Sequence, residues 1–189
     1  MSHQNEIFLS TPRLILRTPR EDDIIRFQDF DKRNRAHLSP WRSATQNLSM
    51  DYKSEIAKWR QEFEENKAIR FMLFLKDQPD GNLIGVCNFS QIFRGPFQAC
   101  YLGYHIDSLL EGKGLMSEAV KEAIEYMFEK QKIHRIMANY MPSNQRSARL
   151  LNKLGFIIEG QAKDYLMING RWEDHVLTSL TNLNWLLCK

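Results

Sequence analysis

The sequence predicts a single mixed α/β domain, and three observations on the 189-residue chain carry that expectation. Two short turns, Asp80-Gly81-Asn82 and Asn169-Gly170, each separate runs of strand-forming residues, the signature of antiparallel hairpins. Between them, Leu115, Met116, Ala119, Val120, Ala123, Ile124, Met127 and Phe128 recur at helical spacing, so one helix face turns to a core. The order of elements is strand, helices, three antiparallel strands, helix, strand, helix and two strands, which is not a regular βαβ array. About seven strands in one mixed sheet flanked by helices follow.

Each element has a local reason. Residues 13–17 alternate as a short strand after a polar start of about residues 1–8, expected to be flexible. Pro19 with Glu21, Asp22 and Asp23 marks a helix start, and Ile24, Ile25, Phe27 and Phe30 continue it inward. The stretch 34–41, with His37-Leu38-Ser39-Pro40-Trp41, reads as a loop interrupting regular structure. Tyr52, Ile56, Trp59 and Phe63 share a helical stripe best explained as core packing. Residues 70–76, 83–92 and 97–106 read as consecutive strands, the last running into a loop that holds Gly112 and Gly114. Residues 135–141 form another strand. Pro142-Ser143-Asn144 then opens a helix with Leu150, Leu151 and Leu154 on one face, stopped by Gly155. Strands 156–168 and 172–180 close the chain as a long hairpin.

Composition narrows the function classes. A hydrophobic content of 43% allows a core without staples, and a net charge of +3 is only mildly basic. The N-terminal arginines alternate with acids, which argues against a dedicated nucleic-acid surface. Cys87, Cys100 and Cys188 form no CxxC pair, so neither a disulfide framework nor a zinc site is indicated, and a reducing cytoplasmic setting is expected. His3, His37, His134 and His175 show no ligand spacing, and no metal is assigned. No apolar run reaches the ~20 residues of a membrane span, so a soluble protein without a membrane partner is expected.

The loop before the central helix carries the chemistry. Free N–H groups at a helix start, beside glycines that permit close approach, form a seat for phosphate. A Walker loop is not present, and a dinucleotide fingerprint lacks its third glycine, with Ser117 in that place. The run Glu111-Gly112-Lys113-Gly114-Leu115-Met116 instead resembles the acyl-CoA pyrophosphate loop of the GCN5-related N-acetyltransferases (GNAT), [QR]-x-x-G-x-[GA]. The later run Asn144-Gln145-Arg146-Ser147 through Leu154-Gly155-Phe156 resembles the N-x-x-S…L-G-F segment of the same superfamily, in the expected order. Within it the chain is similar to the ribosomal-protein-alanine N-acetyltransferase (RimJ) branch. The segments that carry this are Thr11-Pro12-Arg13-Leu14, His37 to Trp41, Gly85 to Ser90, Ala99 to Tyr104, His134 to Pro142, Lys163 to Leu166 and Asp174 to Val176. Glu111 and Met116 depart from the general pattern, and Lys113 is placed to offset the Glu111 charge.

The resemblance implies a GNAT fold over the whole chain, splayed at its central strands, and acetyl-CoA as co-substrate. It implies that Ile106 holds the pantetheine and supplies an oxyanion donor. Gly112, Lys113, Gly114, Leu115, Met116 and Ser117 would cradle the pyrophosphate, and Asn139 and Asn144 would contact the pantetheine arm. Ser147 would polarise the departing sulfur, although it and Asn144 also suit helix capping. Asp164, His105 and Tyr101 are the candidates for general base. Trp41, His37 and Tyr165 would line the acceptor site. The implied acceptor is the N-terminal α-amine of a ribosomal protein, alanine first, with ribosome association left open and a monomer or homodimer expected. Two other readings remain at this point: a polyamine or antibiotic acetyltransferase, and a non-catalytic acyl-CoA-binding factor associated with the ribosome.

Overall fold

The computed structural model describes residues 6–42 and 50–185, so His3, Cys188 and most of the expected flexible start lie outside the described residues. Among the described residues, eight strands form one sheet in the order β1-β2-β3-β4-β5-β6-β8-β7. They are β1 (Phe8–Ser10), β2 (Leu14–Arg17), β3 (Ile69–Leu75), β4 (Gly85–Phe93), β5 (Ala99–Ile106), β6 (Arg135–Tyr140), β7 (Ile157–Ile168) and β8 (Arg171–Thr181). Four α-helices flank it: α1 (Ile24–Leu38), α2 (Tyr52–Glu64), α3 (Leu115–Glu129) and α4 (Gln145–Lys153). All neighbours pair antiparallel except β5 and β6.

The sheet separates two apolar clusters. Leu115, Met116, Ala119, Val120, Ala123 and Met127 of α3 pack with Leu14, Leu16, Phe71, Phe89 and Leu102 on one face. Phe27 and Phe30 of α1 and Ile56 and Trp59 of α2 pack on Met72, Phe74 and Val86 on the other. Strand alternation sorts successive side chains between these clusters. Cys87 and Cys100 are buried free thiols within the first. Among the described residues no helix is long and apolar enough to cross a membrane.

Three expectations need correction. The eighth strand is β1: Phe8, expected at the end of a flexible start, pairs with Arg17. A three-residue strand, two of its residues exposed, carries too little pattern to be read locally. The stretch 34–41 is not a loop from its start, because α1 runs on to Leu38 and a 3-10 turn, Ser39–Trp41, follows. Asn34 disfavours helix interiors by competing for main-chain partners. Here it is fully buried, its amide donating to Phe30 O (3.0 Å) and Asp107 Oδ2 (3.2 Å) and its Oδ1 accepting from Ser108 N–H (2.9 Å). That exchange ties α1 to the segment leaving β5. Finally, β3 and β4 are joined by residues 76–84 rather than a tight turn at Asp80-Gly81-Asn82 alone. The second hairpin forms as expected, with Asn169 (φ +48°) and Gly170 (φ +82°) both in the left-handed region that a two-residue turn requires.

Candidate active site

The seam between β5 and β6 opens partway along. Their parallel pairing joins Ala99 with Arg135, Cys100 with Ile136 and Tyr101 with Met137, then stops, although β5 continues to Ile106 and β6 to Tyr140. Asp107 N–H donates to Ile84 O (2.8 Å), so that residue faces β4. By strand alternation the main-chain groups of Leu102, Tyr104 and Ile106 face the open seam. A cavity of about 900 Å³ passes through it, lined on one side by 110–112, 114–117 and α4, with the predicted Lys113 not bordering it, and on the other by His37, Trp41, Arg42, Asn88, Gly103 and His105.

At the first end, Gly112 (φ +73°) and Gly114 (φ +76°) hold backbone that other residues adopt only under strain. Gly114 caps α3 with no side chain, so the first-turn N–H groups of Leu115, Met116 and Ser117 have no partner inside the helix. The Leu115 and Met116 side chains are core, and both residues border the cavity. Arg13 braces the loop from behind, donating to Lys113 O (3.0 Å) and to Glu118 Oε2 (2.7 Å), while Thr11 Oγ1 donates to Glu118 Oε1 (2.6 Å). Burial would raise the Glu118 carboxyl, but these donors hold it below its ordinary value. Glu111 finds partners other than Lys113: Oε1 lies 3.0 Å from His37 Nε2, and Oε2 pairs with Arg146. Its charge is thereby directed at α1 and α4, away from the first turn of α3.

At the seam, Asn144 caps α4, its Oδ1 accepting from Ser147 N–H (3.1 Å), and it also lines the cavity. Ser147 Oγ lies 2.7 Å from the Tyr104 hydroxyl. Burial pushes Tyr104 up to about 12, so its hydroxyl stays protonated and can donate to Ser147. Sequence reasoning missed Tyr104 as a partner, though it stands two residues before Ile106 on the same strand face.

The other candidates divide. Ile106, Asn139, His37, Trp41 and His105 border the cavity. The Asn139 amide is engaged, donating to Tyr165 Oη (3.1 Å) and accepting from Thr178 N–H (3.4 Å). Tyr165 and Tyr101 share a hydrogen bond; with burial it raises the Tyr165 phenol. Neither tyrosine is among the residues bordering the cavity, and nor is Asp164. Asp164 is exposed in a bulge of β7 at φ +48°, its N–H bonded to Asp174 Oδ1 (3.0 Å), and the bulge turns it from the register a sequence reading assumes. His105 stacks on Phe30, and burial, with Arg42 nearby, pushes its imidazole down to about 3. It is a neutral hydrogen-bond partner at physiological pH and a weak base. At the other end of the cavity a hydrogen bond from Asn169 N–H to Arg42 O (3.1 Å) joins the β7–β8 turn to the 3-10 turn that follows α1, while Asp31 anchors the Arg42 guanidinium. Asn88, Arg42, Gly103 and Arg146 are cavity residues that sequence reasoning did not select.

Residues 13–157 match the family model described as an acetyltransferase (GNAT) domain. The chain belongs to the GNAT family and is an acetyltransferase. It is 45% identical, over 97% of its length and 95% of the relative, to the [ribosomal protein uS5]-alanine N-acetyltransferase of Escherichia coli (strain K12). Among solved structures it is similar to a ribosomal-protein-S5-alanine acetyltransferase from Vibrio fischeri, at 38% identity and TM-score 0.86, covering 95% of this chain and 98% of that one. It is also similar to Mycobacterium smegmatis RimJ in complex with CoA-disulfide, at 27% identity and TM-score 0.80, covering 89% and 81%.

Proposed function

We propose that this enzyme transfers the acetyl group of acetyl-CoA to the N-terminal α-amine of a protein, an N-terminal alanine of a small-subunit ribosomal protein, by direct attack in a ternary complex. The observation that carries this reading is the single cavity running through the β5–β6 seam, with main-chain N–H groups at one end and the α1–hairpin mouth at the other. The 45% identity to an enzyme that acetylates an alanine of ribosomal protein uS5 supports the choice of acceptor.

In this reading the first-turn N–H groups of α3 and the positive end of its dipole receive the pyrophosphate. The seam-facing main chain of β5 takes the pantetheine as an added strand, and Ile106 N–H faces the carbonyl oxygen as charge develops there, a contribution of about 10²–10³ in rate. The α-amine, with a pKa near ~8, enters neutral after losing its proton to water at the open mouth. Its nitrogen bonds to the thioester carbon and sheds its extra proton to water, the C–S bond breaks, and the thiolate takes a proton from Ser147, which Tyr104 resupplies and water in turn restores to Tyr104. Water serves as base because Asp164 and Tyr101 stand off the cavity and His105 binds protons too weakly. Asn144 orients the first turn of α4 and borders the pantetheine path, and Trp41 and His37 wall the acceptor.

A panel assay tests this. Mass spectrometry of alanine-starting ribosomal peptides, polyamines and free amino acids incubated with acetyl-CoA should show +acetyl on the peptide α-amine, with the rate rising with pH to about 8. Preference for polyamines, or no acetyl on any peptide, defeats the reading.

A further inference from the structure

Resting on the acceptor reading above, we propose that Asn88 and His105 grip the acceptor's α-amine over Gly103, and that the missing side chain at position 103 makes room for the acceptor's first residue. The three residues are neighbours on one face of the sheet. Asn88 pairs across the β4–β5 ladder with Gly103, and Val86, two residues before Asn88, pairs with His105. The stack of His105 on Phe30 puts that face on the α1 side, where the acceptor end of the cavity lies.

Two independent features point to a ligand there. Asn88 Oδ1 and His105 Nε2 are buried polar atoms without a hydrogen-bond partner among the described residues, and both residues border the cavity. Such atoms are costly unless something supplies donors. An amine brings two or three N–H donors; an amide oxygen and the lone pair of a neutral imidazole are acceptors that match it. The second feature is the floor between them. A Cβ built at Gly103 meets nothing within 4 Å, and Gly103 lies in regular strand, so neither crowding nor backbone conformation demands glycine. Gly103 also stands two residues past Tyr101, the last β5 residue paired to β6. An amine held over it lies at the mouth of the seam, where a thioester carried along β5 is within reach. Placing the nucleophile against a fixed electrophile is the largest service such contacts give.

Initial rates on an alanine-starting peptide, with acetyl-CoA affinity measured separately by calorimetry, test the assignment. Gly103→Val should raise the acceptor KM by at least about tenfold and Gly103→Ala by about threefold, with acetyl-CoA affinity unchanged. Asn88→Leu should raise the acceptor KM about tenfold. A peptide whose α-amine is replaced by hydrogen should compete about tenfold more weakly than its parent against the wild-type enzyme, and by a smaller margin against Asn88→Leu, where His105 alone still accepts from the amine. The desamino competitor on wild type and the mild Gly103→Ala change decide the matter even if the larger substitutions fail to fold. Wild-type acceptor KM in both Gly103 variants, or equal competition by the desamino peptide on wild type, overturns the inference. If wild type acetylates no peptide at all, the acceptor reading itself fails, and this inference with it.

Discussion

Replacing Ser147 by alanine is expected to lower kcat by about 10²–10⁴-fold, the range for loss of a positioned proton donor. Acetyl-CoA affinity should hardly change, because in the proposed mechanism the hydroxyl acts on sulfur only as the C–S bond breaks. The structure makes this a clean substitution. The Asn144 cap bonds to the Ser147 main-chain N–H, which alanine keeps, so α4 retains its start. Tyr104→Phe removes the group resupplying the proton across the 2.7 Å contact, and a smaller fall in kcat is expected, since water can partly replace it. Because the two hydroxyls work as one relay, the double variant should be little worse than Ser147→Ala alone. Single-turnover acetylation at saturating acetyl-CoA measures all three. A fall in acetyl-CoA affinity at unchanged kcat would assign Ser147 to binding instead.

Asp23→Asn is expected to destabilise the fold by about 3–5 kcal/mol, the cost of leaving a buried charge without its counter-ion. Asp23 is fully buried and accepts from Arg17 Nη1 (2.6 Å) and Nη2 (2.7 Å) and from Arg20 N–H (2.7 Å). Arg17 is itself buried and lies 4.6 Å from the Phe74 ring centroid, so the isosteric amide leaves a guanidinium enclosed without its charge partner. The pair fastens the start of α1 to β2, and α1 delivers His37, Trp41 and Arg42 to the cavity; activity should fall with stability. The sign with pH follows from the carboxyl. Burial alone would raise it, but the Arg17 and Arg20 hydrogen bonds hold it below its ordinary 3.8. A depressed folded-state value gives stability that is present above the unfolded value and lost as pH falls through the folded one. Urea unfolding should therefore show the full difference between wild type and variant at pH 7 and a shrinking one below about pH 4. A difference independent of pH would contradict the role of the ion pair.

Much of the fold was legible because its signals are local. The helical stripe after Gly114, the Asn169-Gly170 turn and the Asn144 cap each depend on residues within a few positions of one another. The glycine-framed start of α3, proposed above as the phosphate seat, was legible for the same reason, since two glycines and a helix start make it. What escaped depends on distant partners. The stretch from residue 34 was read as a loop although α1 continues through it, because the bonds from Asn34 to Asp107 and Ser108 that hold it there lie across the fold. The Tyr104–Ser147 pair joins residues 43 apart, and the Glu111 link to Arg146 joins β5's loop to α4. The surroundings of the general-base candidates were not legible for another reason: a bulge in β7 leaves Asp164 exposed and off the cavity, and burial weakens His105 as a base. The unpartnered atoms of Asn88 and His105 have no sequence signature, because burial without a partner exists only once the chain is folded.

The account stands or falls on the glycine-framed start of α3 as the seat of the acetyl-CoA pyrophosphate. Calorimetric titration with acetyl-CoA tests it most directly, in wild type and in Gly114→Val, where a β-branched residue must adopt φ +76°. Strain of about 1–3 kcal/mol at that position should reshape the loop and weaken binding by roughly 10- to 100-fold. The account predicts saturable heat at one site in wild type and this weakening in the folded variant. No heat from folded wild type, or undiminished affinity in Gly114→Val, would contradict it.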